Sequence, residues 1–258
     1  MKKILLNLTF ATLLTSVLHA DMGRLEVGIG SWQQTPSGDL SYEEYGLYGK
    51  DTSREEQTNE AYVWMLIKHP IPILPNLRVE YSHVKNEGTA TGSFENFSVF
   101  PGTTANTSLE LTELDVVPYY NILDNTAWIT LDLGVDFKII ESTYEANNVK
   151  LFGFINTPMT YTDESTTVIP LAYLRTRVEI PKTGFGIEGD VKYITYSGST
   201  IYDVRAKVDY TFDTGLPVDI GFEVGYRIKN MQIDDEEASS TNTNLDFRGV
   251  YAGVMFRY

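Results

Sequence analysis

The amino-acid sequence predicts an all-β fold: a ten-stranded, antiparallel, up-and-down transmembrane β-barrel. Three observations lead to this prediction. The chain begins with a targeting segment, most of the remainder alternates between apolar and polar residues, and the connections between the alternating segments are long and short in turn. Alternation with a period of two indicates strands whose two faces meet different surroundings.

The first twenty residues, 1–20, have the pattern of a cleavable signal peptide. Lysines follow the initiator Met, a mostly apolar stretch runs over Ile4–Leu18, and Ala20 supplies a small residue at the expected cleavage point. An uncleaved anchor helix is the alternative, although the stretch is short for spanning a bilayer. The sequence has no cysteine, which excludes a lipoprotein, disulfides and thiolate metal sites. We expect residues 21–258 to leave the cytoplasm as one barrel domain.

Two neighbouring segments show the alternation most clearly. In Val218–Ile228 and in Tyr202–Phe212, every even-numbered residue is apolar and every odd-numbered residue is charged, threonine or glycine. Ten such segments are present, several of them longer than the roughly five to six residues common in soluble strands, and most approach the roughly nine to eleven that a tilted membrane strand needs. They are 24–32, 61–69, 77–86, 108–119, 127–142, 165–180, 185–197, 200–212, 217–231 and 244–258.

The connections distinguish a membrane barrel from a soluble β-sandwich, whose strands also alternate. Outer-membrane barrels have long outer loops and short periplasmic turns, and their even strand number places both chain ends on the same side. One predicted outer connection, Ser197–Ser199, is instead a tight hairpin. The long connections are 33–60, 87–107, 143–164 and 232–243, and the short ones are 70–76, 120–126, 181–184 and 213–216.

Charge and hydropathy argue against other classes. A formal net charge of −15 disfavours a nucleic-acid partner, which would need a basic face. The mean hydropathy is −0.18, and no apolar stretch of about 20 residues follows the targeting segment, so an α-helical membrane protein is not expected.

The last strand and the aromatic residues point to an outer membrane. The aligned residues Val250, Ala252, Val254, Phe256 and Tyr258 resemble the terminal signal strand that the outer-membrane assembly machinery reads; the alternative is an ordinary last strand of a soluble sheet. Aromatic side chains near both predicted strand ends suit the interfaces with lipid and lipopolysaccharide, although aromatic residues also favour strands in general. The inner group is Tyr119, Tyr120, Trp128, Phe212 and Tyr258, and the outer group is Tyr144, Tyr202 and Tyr226.

Several longer stretches carry a family resemblance. They are His69–Tyr81 (HPIPILPNLRVEY), Leu123–Gly134 (LDNTAWITLDLG) and Ile201–Phe212 (IYDVRAKVDYTF), with Trp32–Leu40 and Ile169–Tyr173 also similar. These stretches resemble a family of proteobacterial outer-membrane β-barrel proteins that has no assigned function. The resemblance covers nearly the whole mature chain. It implies a barrel in the outer membrane and carries over no catalytic or binding residues.

The polar strand faces predict a charged lumen. Charges of both signs are mixed there, so buried charges have partners. Because eight-stranded barrels are filled by side chains and barrels of sixteen or more strands hold channels, we expect ion pairs to fill this lumen. A narrow pore for small solutes is the alternative. The candidate lumen-lining residues are Arg78, Glu80, Asp132, Asp136, Arg175, Arg177, Glu188, Asp190, Lys192, Asp203, Arg205, Lys207, Asp209, Glu223 and Arg227, and Lys138, Glu179, Arg248 and Arg257 are placed with them.

The sequence gives little sign of catalytic or metal chemistry. His69 and His83 do not have the spacing of a zinc motif. His83 shares its parity with Tyr81 and should face lipid, whereas the adjacent Ser82 should point to the opposite face. We therefore predict no enzyme, no metal and no cofactor, and a hydrolase is the least favoured alternative.

The predicted outer connections are acidic. Such clusters could attract divalent cations, but no calcium-loop spacing is present, and a solvated charge run is the favoured interpretation. Two functional hypotheses follow: a structural or interaction protein with a filled lumen and acidic outer loops, or a small pore. The acidic residues are Asp39, Glu43, Glu44, Asp51, Glu55, Glu56, Glu60 and 234–237.

Overall fold

A computed structural model describes residues 23–258 except 45, 54–55, 72, 152–156 and 235–240, and it leaves out the side chains of 125, 126, 234 and 241. The predicted signal peptide lies outside the described residues. The regular structure of the described chain consists of β-strands. Within this part of the chain, no helix is long and apolar enough to cross a membrane.

In the described part of the chain, twelve strands form one antiparallel sheet, and ten of them close a barrel. In the barrel each strand pairs with the next, and β12 pairs with β1, which confirms the predicted fold class. The strands are β1 (Arg24–Glu44), β2 (Leu47–Ser53), β3 (Thr58–Lys68), β4 (Asn76–Gly92), β5 (Phe97–Val99), β6 (Ala105–Thr126), β7 (Ile129–Leu151), β8 (Met159–Glu179), β9 (Phe185–Tyr196), β10 (Ser199–Phe212), β11 (Asp219–Asp234) and β12 (Thr241–Arg257).

Two short strands, β2 and β5, supplement the barrel at one end, which we call the outer end. β2 pairs with both β1 and β4. It therefore fills the space between these two strands at the outer end, beyond the first residues of β3. β5 pairs with β7, continuing the ladder beyond the start of β6. Both strands fall in segments that the sequence predicts as loops.

The barrel strands extend well beyond the predicted segments. The predicted long connections 33–60, 87–107 and 143–164 are wrong over much of their length, because β1, β4, β7 and β8 continue through them. In these extensions polar and β-favouring residues occur on both faces, so the backbone ladder persists where the apolar and polar alternation fades.

Two tight hairpins connect strands through residues with positive φ. Ala127 and Trp128 have φ of 52° and 68°, and Ser197 and Gly198 have φ of 48° and 86°. Turns with two positive φ angles match the right-handed twist of the flanking strands. The predicted outer hairpin at Ser197 is confirmed. The predicted connection over 120–126 is wrong, because β6 continues to Thr126.

The outer surface of the barrel carries a broad band of exposed apolar side chains, among them Val224, Phe222 and Leu133. Aromatic residues of the predicted girdles lie on it, including Trp128, Tyr120, Phe212, Tyr258 and Tyr226.

Two of the predicted girdle residues do not belong to this band. Tyr119 is buried inside the barrel, because adjacent strand residues point to opposite faces and Tyr120 points outward. Tyr144 also points inward, and its hydroxyl donates a hydrogen bond of 2.8 Å to Oδ2 of Asp51.

The terminal strand closes the barrel at a seam with β1. The backbone N–H of Tyr258 donates to the carbonyl of Leu25 at 2.8 Å, and the N–H of Leu25 donates back at 3.1 Å. Val250, Phe256 and Tyr258 are exposed on the outer face. Ala252 and Val254 share their even-numbered parity, so the predicted signal residues form one outward row.

Candidate functional site

The fifteen candidate lumen-lining residues from Arg78 to Arg227 are all buried inside the barrel. Adjacent strands bring many of them together directly, because residues opposite each other in register point to the same face. One row crosses five strands from Asp132 through Arg175, Asp190 and Arg205 to Arg227. Opposite charges alternate over most of this row, so burial and pairing are achieved together.

Among the described residues, four further charged side chains join this buried set without having been predicted: Glu26, Glu113, Asp115 and Lys229. The parity of Glu26, between the outward Leu25 and Val27, is a signal that would have identified it.

The other residues placed with the predicted lumen differ in position. Lys138 is fully buried, whereas Glu179 and Arg257 lie part-exposed at the inner end. The placement of Arg248 in the lumen is wrong: its side chain is 54% exposed and ion-pairs with Asp246. It has the even-numbered parity of the outward Val250.

Glu80 joins walls of the barrel that are not neighbours. Its carboxylate on β4 accepts hydrogen bonds from Lys192 on β9 at 2.7 Å and from Arg205 on β10 at 2.5 Å, and it also pairs with Arg78 on its own strand. Arg205 in turn binds Asp190 through Nε and Nη2 at 2.7–3.1 Å. The contacts of Glu80 with Lys192 and Arg205 run across the lumen, whereas the Arg205–Asp190 pair joins adjacent strands along its wall.

A second set of cross-lumen contacts is centred on Glu113 and Asp115 of β6. Lys138 Nζ lies 2.6 Å from Asp115 and 3.5 Å from Glu113. Asp115 also pairs with Lys192, and Glu113 pairs with Lys229 of β11, from the opposite wall. Lys192 and Lys229 therefore reach carboxylates of β6 from strands that do not adjoin it in the barrel, whereas Lys138 is the direct register partner of Asp115.

A third set surrounds Glu188 nearer the inner end. Arg175, Arg177 and Arg78 donate to its carboxylate at 2.6, 3.3 and 3.2 Å. Arg177 also makes a two-pronged contact with Asp209 at 2.6 and 2.9 Å. Such bidentate pairs between a guanidinium and a carboxylate are geometrically well defined and strong. We call these three sets together the charged plug.

Aromatic side chains complete the charged plug. Trp64 Nε1 and the Tyr62 hydroxyl both donate to Oε1 of Glu223, at 2.9 and 2.8 Å, and Lys207 donates to the other oxygen at 2.8 Å. Lys207 also lies 4.6 Å from the centroid of the Trp64 ring, within range of a cation–π interaction. A cavity of about 20 Å³ beside these residues has room for roughly one water molecule.

Above the charged plug, at the outer end, lies a larger cavity of about 510 Å³, which we call the outer cup. Its lining is dominated by aliphatic and aromatic side chains, with a smaller number of polar ones. The aliphatic lining consists of Leu40, Leu109, Leu111, Ile140, Ile169, Met231, Ile233 and Leu245; the aromatic lining of Tyr42, Phe94, Phe97, Tyr144 and Tyr161; and the polar lining of Glu95, Asn96, Ser142, Asp163, Ser165, Thr167 and Thr243.

Of the residues considered for catalysis, the two histidines lie apart from both regions, whereas Ser82 contacts the charged plug. His83 is on the outer surface, with Nδ1 3.2 Å from Glu60 and Nε2 4.0 Å from Glu110. Ser82 points into the lumen and donates to Glu113 at 3.4 Å. His69 is at the inner turn, where its ring nitrogen contacts the carbonyl of Pro75 at 2.9 Å.

The acidic outer residues do not converge on one point. Asp39 ion-pairs with Lys50 at 3.7 Å, and Asp51 is buried behind the outer cup, where Thr107 donates to it at 2.9 Å. Glu55 and 235–237 lie outside the described residues. Among the described residues, no group of three or more histidine, cysteine or acidic side chains is arranged to hold a metal ion.

Comparison with solved structures identifies similar barrels. The outer-membrane protease OmpT from Escherichia coli has a TM-score of 0.54 and 12% identity, over 93% of this chain and 97% of that one. The translocator domain of the autotransporter NalP from Neisseria meningitidis has a TM-score of 0.44 and 12% identity, over 100% and 96%. The outer-membrane protein OprG from Pseudomonas aeruginosa has a TM-score of 0.38 and 10% identity, over 94% and 99%.

No protein-family model matches the chain, and no curated protein matches it significantly. At 12% identity the likeness to OmpT concerns the fold, and it agrees with the resemblance to outer-membrane barrel proteins found in the sequence. The chain therefore has the fold of an outer-membrane β-barrel, closed by ten antiparallel strands.

Proposed function

We propose that this protein is an integral outer-membrane barrel whose lumen is closed by the charged plug, and that it acts as a structural or interaction protein rather than as a pore. The observation that carries the proposal is the bonding across the lumen. Glu80 on β4 holds side chains from β9 and β10, and Glu113 on β6 holds Lys229 from β11. Side chains that meet from opposite walls occupy the path that a solute would need.

The proposed location rests on the outer surface and on the sequence. An apolar band with aromatic residues at its margins matches the lipid-facing surface of transmembrane barrels. The expected partners are outer-membrane lipid and lipopolysaccharide around the barrel. The outward row from Val250 to Tyr258 would serve the assembly machinery as a recognition strand.

The arrangement of possible catalytic groups supports a non-enzymatic role. His83 faces outward between Glu60 and Glu110, whereas Ser82 points inward to Glu113. A nucleophile and its base must approach within hydrogen-bonding distance. Residues on opposite faces of one strand do not meet this requirement.

The test is single-channel conductance of the refolded mature protein in a planar bilayer. Folding is checked beforehand by a heat-dependent gel shift, and insertion by resistance to protease in liposomes. We expect folded, inserted barrels that produce no discrete conductance steps. Reproducible steps from such preparations would refute the closed lumen and support the small pore, and reversal potentials would then report which charges line the constriction.

A further inference from the structure

The outer cup differs in character from the rest of the lumen. Directly below it the barrel is packed with ion pairs, whereas its own floor consists of apolar residues such as Leu111, Ile140 and Leu245. Its volume of about 510 Å³ falls within the roughly 300–1,000 Å³ typical of pockets for small molecules. A concave apolar site with a few polar groups at its margin is the usual form of such pockets.

One wall of the outer cup is a continuous series of aromatic rings. The Phe94 and Phe97 rings stack with centroids 4.7 Å apart, and Phe97 lies 5.0 Å from Tyr161 and 6.4 Å from Tyr144. Tyr42 extends the series, 6.3 Å from Phe94. Rings from four separate segments of the chain thus share one wall.

The aromatic wall is held in place from behind. Phe97 belongs to β5, and the Phe94 N–H donates to its carbonyl at 2.8 Å. The Tyr144 hydroxyl donates to Asp51 of β2, and the amide of Asn96 donates to the Tyr161 hydroxyl at 3.2 Å. The wall is therefore formed before any ligand arrives.

The charge of the outer cup is one-sided. Among the described residues, its lining includes the carboxylates of Glu95 and Asp163 and no lysine, arginine or histidine. The faces of aromatic rings attract cations, and the attraction strengthens where water is partly excluded. Carboxylates and ring faces both repel anions. The apolar floor therefore favours a molecule with an apolar body, and the aromatic wall and the acidic margin favour one with a positive charge.

We infer that the outer cup binds an organic cation: a small molecule with an apolar or aromatic body and an ammonium group. The body lies against the aliphatic floor. The ammonium group lies between the aromatic wall and the carboxylate of Asp163. This inference goes beyond the proposed function, because binding in the cup requires no passage through the charged plug.

The test compares three probes with the same apolar body and different head groups: (4-phenylbutyl)trimethylammonium, 4-phenylbutan-1-ol and 4-phenylbutanoate. Binding is measured by titration calorimetry to the refolded mature protein in nanodiscs of zwitterionic lipid, with empty nanodiscs as the blank. We expect the cation to bind about tenfold or more tightly than the anion, a difference of about 1.4 kcal/mol, with the alcohol in between.

Variants then locate the site. Asp163→Asn is expected to weaken binding of the cation several-fold while leaving binding of the alcohol unchanged. Thr167→Lys, which adds a positive charge to the lining, should abolish binding of the cation while largely keeping that of the alcohol. Glu110→Gln is the matched control, because Glu110 is a part-exposed carboxylate on the outer surface beside Lys85. It should change nothing.

Three results would overturn the inference: equal affinity for all three probes, no binding above the blank, or cation binding that survives Thr167→Lys. Each variant is checked by the heat-dependent gel shift, so that misfolding is recognised. Conductance measured on the same preparation separates this inference from the proposed function, since a barrel that conducts can still bind in its cup, and a silent barrel can fail to bind.

Discussion

The charged plug and the outer cup lie in the same barrel, yet they fill its lumen in opposite ways. In the plug, buried charges such as Glu80 and Arg205 bond across the barrel. In the cup, aliphatic and aromatic side chains line a space of about 510 Å³. This difference shows that the interior of one narrow barrel can be filled by ion pairs in one part and remain open in another. The predictions below test whether the two levels respond differently to substitution.

The largest effect is expected for Arg205→Ala in the charged plug. The substitution removes the guanidinium bound to both Asp190 and Glu80, and leaves buried carboxylates with one cation fewer. Breaking a buried ion pair from one side costs about 3–5 kcal/mol, and we expect a loss of this size in the free energy of unfolding. Denaturant titration in lipid vesicles measures it.

The matched control for this prediction is Arg248→Ala. Arg248 is an arginine of the outer surface, 54% exposed and 3.6 Å from Asp246. Surface substitutions usually change stability by less than about 0.5 kcal/mol. Equal losses for the two variants would show that the charged plug does not stabilise the barrel.

A smaller loss of stability is expected for substitutions of two aspartates in the charged plug, and the two should differ from each other. Asp115 pairs with Lys138 and Lys192, whereas neither oxygen of Asp136 has a hydrogen-bond partner among the described residues. We expect Asp115→Asn to cost about 2–3 kcal/mol, because bonds to charged groups are lost, and Asp136→Asn to cost less than about 1 kcal/mol.

The same denaturant titration compares these two isosteric substitutions directly. Since Asp136 lies 3.7 Å from Lys192, its carboxylate contributes attraction without a hydrogen bond. A loss at Asp136 as large as that at Asp115 would contradict the distinction drawn between them.

The smallest effect is expected in the outer cup. Ile233 lines the cup, whereas Ile201 is buried in the packed core. Ile201→Thr places a hydroxyl in close packing, which we expect to cost about 2–3 kcal/mol. The hydroxyl introduced by Ile233→Thr would face the open space of the cup, so this substitution should lower the free energy of unfolding by less than about 1 kcal/mol. If both substitutions destabilise alike, the cup is packed in solution and is not an open site.

The sequence allows the charged plug to be predicted more fully than the outer cup. On β10 and β11 the alternation is strict, so the inward charges from Asp203 to Arg227 could be identified residue by residue. On β6 the alternation is not strict, because the inward-pointing Glu113 and Asp115 share their face with Leu111 and Val117. Polarity alone does not separate the two faces of such a strand, and these carboxylates were missed for that reason.

The outer cup could not be predicted from the sequence, because it depends on how distant strands pair. Its aromatic wall depends on β2 and β5, which pair with β4 and β7, strands that do not adjoin them in the chain. Period-two patterns report the surroundings of one strand and say nothing about such long-range pairing. Phe94 and Phe97 therefore fall in a stretch that the sequence predicts as a loop.

The dense charge inside the barrel has a further consequence, for the accuracy of its assembly. If β10 paired with its neighbours one residue out of register, every side chain on it would move to the other face. Asp203, Arg205, Lys207 and Asp209 would then face hydrocarbon, where an arginine or lysine at mid-depth costs about 2–4 kcal/mol. The charges of the plug thus disfavour misaligned strands during folding. Each charge that faces hydrocarbon raises the free energy of the misaligned barrel, and a strand such as β10 carries several of them.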